Sequence, residues 1–158
     1  MRGFFIICLS LCALAFSPGI VRAKDLPDDF AFVTIDGTTI DFKTLKGLPL
    51  VINIGASWCP ECRSEAPAFQ RAYLSYKDKG VFFMSVLGGS TDSDIKDFVQ
   101  TYKLTFPVGK DNGLAKAFGV RVVPQTFFFS RDGKLIKKII GEADYKELCE
   151  YIEIILIK

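Results

Sequence analysis

The sequence predicts an α/β fold, a central mixed sheet flanked by helices, and three observations carry that prediction. Leu50 to Gly55 is a continuous apolar run, as expected of a central strand buried on both faces. Strand-like and helix-like segments then alternate from Val81 to Phe118. The chain closes with a hairpin signal followed by a helical segment, which turns an alternating α/β pattern into a sheet of mixed pairing.

The elements follow in order. Phe30 to Ile35 and Thr38 to Phe42 flank Asp36-Gly37, a two-residue hairpin signal that sets an N-terminal β-hairpin ahead of the main sheet. After the strand at Leu50 to Gly55, a helix is expected from Pro60 to Lys77, kinked at Pro67. Val81 to Leu87 is the next strand. Ser93 to Tyr102 is a helix with Thr91 or Asp92 as its cap. Phe106-Pro107-Val108 is a short strand, and Leu114 to Phe118 a helical turn or two. Thr126 to Phe129 and Leu135 to Ile140 flank Arg131-Asp132-Gly133, the second hairpin, and Asp144 to Ile157 is the closing helix.

The first residues have the pattern of an export signal. Arg2 precedes an apolar stretch from Phe4 to Phe16, and Val21-Arg22-Ala23 offers the small residues of a cleavage site. That stretch is 13 residues, short of the roughly 20 a bilayer span needs. Cleavage after Ala23 is the preferred reading, with an uncleaved anchor as the alternative. Cys12 after Leu9-Ser10-Leu11 makes only a loose lipoprotein-like site. Residues 24–158 then form one domain, placed in the periplasm or another extracytoplasmic compartment. Losing Arg2 and Arg22 takes the 20 basic residues to 18, equal to the 18 acids. That balance points to neither nucleic acid nor an anionic membrane surface as partner. With 15 Phe the chain builds its core without disulfide staples.

Chemistry concentrates in Trp58-Cys59-Pro60-Glu61-Cys62. Two thiols separated by two residues close and reopen a small disulfide ring. The strand-to-helix junction puts Cys59 at the helix start and Pro60 in the first helical position, which proline favours. Free N–H groups and the helix macrodipole stabilise a thiolate there, so Cys59 is expected to be the acidified, attacking sulfur. Cys62, one turn inside, is shielded and resolves the mixed disulfide. Glu61 opposes the acidification, because a neighbouring carboxylate raises a thiol's pKa. Against this stand a zinc half-site and a static disulfide. Zinc takes four Cys or His ligands, and the chain has no His. A static ring this small stabilises little. Position 63 is Arg, so a haem attachment motif is absent. A peroxidase lacks its arginine partner and single-cysteine pattern here. Cys149, among Leu148, Ile152 and Ile155, reads as a buried inert thiol.

Val122-Val123-Pro124-Gln125-Thr126-Phe127 sets a proline immediately before an apolar strand. It is either an ordinary strand-entry proline or a cis-proline beside the disulfide, leaving the backbone of Val123 open to an extended substrate.

Across residues 28–157 the chain resembles the thioredoxin fold, which carries Trp-Cys-x-x-Cys after a buried strand and a cis-proline opposite it. More narrowly it is similar to the TlpA-like family of bacterial envelope thioredoxins, which includes the reductases of cytochrome c maturation. The closer match lies in Asp29-Phe30 leading to Asp36-Gly37, Leu45-Lys46-Gly47, Cys62-Arg63-Ser64-Glu65-Ala66-Pro67 and Phe118-Gly119-Val120. As in that family, an added helix–strand segment, roughly residues 92–108, separates Cys62 from Pro124. The resemblance implies that Cys59 and Cys62 exchange, that Pro124 is the cis-proline, and that Glu65 is the glutamate that handles protons near the thiols. A solvated helix carboxylate is the alternative for Glu65. Trp58, Pro60, Glu61 and Val123 are the residues expected to meet the substrate. Asn53 stands where ordinary thioredoxins have a buried acid, leaving Glu65 or Glu61 as the proton relay.

What the resemblance implies is an exported thiol–disulfide oxidoreductase, most simply a reductase of apocytochrome c or its maturation partners, recharged by a membrane thiol donor. It needs no cofactor beyond its own disulfide and no metal, and it is expected to be a monomer. The alternatives are an oxidant or isomerase of secreted proteins, or a Cu(I)-binding or docking module whose disulfide does not cycle.

Overall fold

The computed structural model describes residues 26, 27 and 29–158. The expected export segment, residues 1–23, lies outside them. β1 (Ala31–Val33) and β2 (Thr39–Asp41) form a separate two-stranded antiparallel sheet, shorter than the sequence suggested. Their turn is closed by Asp36, which accepts from the Thr34 hydroxyl and from the Thr38 N–H, and by Gly37 at φ +88°. A 3₁₀ turn at Phe42–Leu45 follows directly, where the sequence placed the end of the strand. Asp41 caps it, its carboxylate accepting from the Lys43 N–H at 2.9 Å.

The main sheet holds β3 (Leu50–Gly55), β4 (Phe82–Leu87), β5 (Val108–Lys110), β6 (Gln125–Phe129) and β7 (Leu135–Ile140), ordered β5-β4-β3-β6-β7. β3, β4 and β5 run parallel, and β6 and β7 join antiparallel. All six residues of β3 are buried, as its apolar run requires of a central strand. Successive side chains point to opposite faces. Val51 therefore enters the core beneath the helices α1 (Pro60–Tyr76), α2 (Asp92–Tyr102) and α4 (Tyr145–Leu156), with Phe69, Phe98, Phe128 and Ile152. Leu50, Ile52 and Ile54 enter a second core on the other face, with Phe32, Phe42, Phe127, Phe129 and Leu114 of α3 (Leu114–Ala117). This is the mixed α/β thioredoxin fold with its N-terminal hairpin and inserted α2–β5 segment.

Most boundaries fall within a residue of the sequence reading, and β5 moves further. β5 starts at Val108, two residues late, because Pro107 brings no N–H to a ladder; its carbonyl accepts the Ser85 N–H at 2.9 Å instead. α1 runs through Pro67 as one 17-residue helix. Of the two candidate caps for α2, Thr91 is the one used, in a reciprocal capping box with Asp94.

The two ends of the sheet are distinct. The C-terminal end of β3 leads into the cysteine motif. At the other end the Leu26 N–H donates to Gly133 O at 3.2 Å, on the β6–β7 turn.

Candidate active site

Cys59 is the N-cap of α1, in extended conformation at φ −75° and ψ 124°, and Pro60 opens the helix. The Cys62 N–H donates to Cys59 Sγ at 3.4 Å, and the Cys59 thiol donates to Glu61 Oε2, also at 3.4 Å. Both cysteines are free thiols and both are buried. Burial first, and a hydrogen bond with Cys59 second, push the Cys62 thiol well above the ordinary thiol range. A thiol held protonated this way does not initiate attack. Gly55 gives Cys62 its place: a Cβ there would lie 3.1 Å from Cys62 Sγ.

Trp58 is the exposed neighbour, 64% accessible, yet fixed by its indole N–H donating to Gly89 O at 3.0 Å. Behind it, Ser57 donates its N–H and its hydroxyl to Ser90 Oγ at 3.0 and 2.8 Å. Ser90 in turn donates to Gly88 O at 3.2 Å. The loop after β4 thus fastens the loop after β3. The Gly-Gly-Ser-Thr run at the end of an apolar strand is the sequence signal for this contact.

The Val123–Pro124 peptide bond is cis, so the ordinary strand-entry alternative does not hold. Pro124 is buried, and Val123 packs against Ala56, Cys59 and Cys62. Trp58, Pro60 and Glu61 thus adjoin the two cysteines in sequence, and Val123 packs against them.

Glu65 departs from one of its two readings. It is 2% exposed, not a solvated helix carboxylate. Its Oε1 accepts from Asn53 Nδ2 at 2.8 Å and its Oε2 from the Ala143 N–H at 3.0 Å. Asn53 also donates to Thr126 Oγ1 at 3.3 Å and accepts from the Ser85 hydroxyl at 3.0 Å, so the acid sits in a satisfied polar network under the sheet. Burial raises the Glu65 carboxyl to about 7, against the opposing pull of the Ala143 and Asn53 hydrogen bonds. Glu65 and Cys62 share the wall of a cavity of about 10 Å³, roughly the space one water requires. Cys149 on α4 is half-buried against the helix-side core, less enclosed than its sequence context suggested.

A dithiol at the N-terminus of the first helix, facing a cis-proline loop across a mixed sheet, defines the thioredoxin-like class. The chain belongs to the AhpC/TSA family, whose model matches residues 23–138. It is 36% identical over 132 residues to the thiol–disulfide oxidoreductase ResA of Bacillus thuringiensis subsp. konkukian, spanning 82% of this chain and 76% of that one. Among solved structures, a putative thioredoxin from Neisseria meningitidis matches with a TM-score of 0.75 and 26% identity, over 82% of this chain and 88% of its own. A thiol:disulfide interchange protein of Chlorobium tepidum shares the fold, with a TM-score of 0.76 at 23% identity over 85% and 98% of the two chains.

Proposed function

We propose that this thiol–disulfide oxidoreductase is exported and reduces disulfides of other proteins, with apocytochrome c or its maturation partners as the substrate class. The observation that carries the reading is the inequality of the two thiols. Both are buried, but Cys59 accepts a helix N–H at the N-cap while Cys62 is held protonated. In this mechanism the Cys59 thiolate attacks one sulfur of the partner disulfide. A mixed disulfide forms and the partner's other sulfur leaves as a thiolate. Cys62 then loses its proton and attacks Cys59 Sγ, forming the Cys59–Cys62 disulfide and releasing the second partner thiol. Two electrons have passed to the partner, and a membrane dithiol donor must return them.

Glu61 and Glu65 divide the proton work. Glu61, hydrogen-bonded to Cys59, receives a proton at the attacking sulfur. Glu65, titrating near 7 beside the cavity it shares with Cys62, serves the resolving step. Trp58 and Val123 flank the sulfurs as the partner's apolar platform, and Pro60 and Pro124 frame it.

The test is the reduction potential of the Cys59–Cys62 pair in defined thiol buffers, with Cys59→Ala and Cys62→Ala as companions. A reductase gives a potential near or below about −270 mV, whereas a value near −120 mV makes the protein an oxidant. Cys59→Ala should abolish exchange and Cys62→Ala should accumulate mixed disulfide. Turnover retained in Cys59→Ala would overturn the assignment.

A further inference from the structure

Gln125, the first residue of β6, is a buried polar side chain where the strand's pattern calls for an apolar one. Its companions on the same face, Phe127 and Phe129, lie in the second core, and Gln125 itself is 3% exposed. Its Nε2–H donates to Val122 O at 2.9 Å. Its Oε1 is buried with no hydrogen-bond partner among the described residues. A buried acceptor left unpaired destabilises a fold, and a residue that breaks the local rule this way calls for a functional account.

The account lies in what the amide holds. From Arg121 to Val123 no backbone group bonds to another backbone group among the described residues. Val122 is 59% exposed, and Val123 rests against the two cysteines. The Gln125 amide is thus the tether that draws the Val122 carbonyl inward. Val123, the next residue, is the one that packs against the two cysteines.

We propose that Gln125 is a positioning residue for the partner chain. By ordering Val122 and Val123 in advance, it lowers the entropy lost when an extended substrate docks beside Cys59. This rests on the exchange reading and adds to it a residue that touches neither sulfur. Its signature is opposite movement of stability and recognition. Gln125→Met and Gln125→Leu remove both the tether and the orphaned oxygen, and the released Val122 carbonyl can then turn to water.

The experiment follows Trp58 fluorescence as the reduced full chain is oxidised, either by a peptide closed through a Cys-x-x-Cys disulfide or by DTNB, a small aromatic disulfide. Both variants should melt at or above the wild-type temperature. Their rate constant with the peptide should fall about threefold to tenfold, the factor one neutral hydrogen bond supplies, with the DTNB rate unchanged. An unchanged peptide rate, or a lower melting temperature with both rates reduced together, would overturn the proposal. Wild-type protein inert to both disulfides would instead remove the exchange reading itself.

Discussion

Glu65 ties the chemistry of the site to the stability of the fold. Its carboxyl titrates at about 7 in the folded chain against an ordinary 4.5, because burial penalises the charged form. The folded state therefore holds the proton more tightly than the unfolded one. The resulting stabilisation is fully present below pH 4.5 and is lost as pH rises through about 7, a swing of about 3 kcal/mol. Denaturant titrations at several pH values should show this fall in the wild type and a flatter profile in Glu65→Gln; identical slopes would mean the carboxylate is not penalised. The spacing after Cys62 led to this residue only through family resemblance, and nothing local foretold its burial. Its hydrogen-bond partners Asn53 and Ala143 lie 12 and 78 positions away. Gln125 escaped notice for the same reason, since a glutamine after a proline looks ordinary until the strand it opens is seen to be buried.

Elements were legible wherever their signals are local. Cys59 and Pro60 mark the start of α1, Thr91 and Asp94 close the capping box of α2, and Asp144 caps α4 by accepting from the Glu147 N–H at 2.7 Å. Edges set by tertiary contact were not. The 3₁₀ turn after β2 buries Phe42 and Leu45. The docking of the N-terminal hairpin on β5 depends on one missing side chain. A Cβ at Gly109 would stand 2.3 Å from Val33 O and 2.8 Å from the Phe32 ring. Gly109→Ala should thus push β1 off the sheet and destabilise the chain by about 1–3 kcal/mol in equilibrium unfolding. Full stability in that variant would show that the hairpin can shift without loss.

At the scale of the whole molecule, one sheet separates two cores that share its strands. Alternate residues of β3 and β6 feed opposite faces, Val51 and Phe128 on one, Ile52 and Phe127 on the other. Because the same strands form a wall of both cores, unfolding should be a single transition. Trp58 fluorescence, which reports the dithiol end, and far-UV circular dichroism should give the same denaturant midpoint; separated midpoints would mark the hairpin side as an independent unit. The α/β class, the order of strands and helices and the dithiol could be read directly because hydrophobic period and the Cys spacing are properties of short stretches. The polar network beneath the sheet could not, because it joins β3, β4, β6 and α1 through single atoms. The hydrogen bond from Leu26 to Gly133 lies at the edge of the sheet remote from the cysteines. A bead, resin or dye coupled ahead of Leu26 consequently sits at the end of the sheet away from the cysteines, and a column made that way can capture mixed-disulfide partners without its support crowding them.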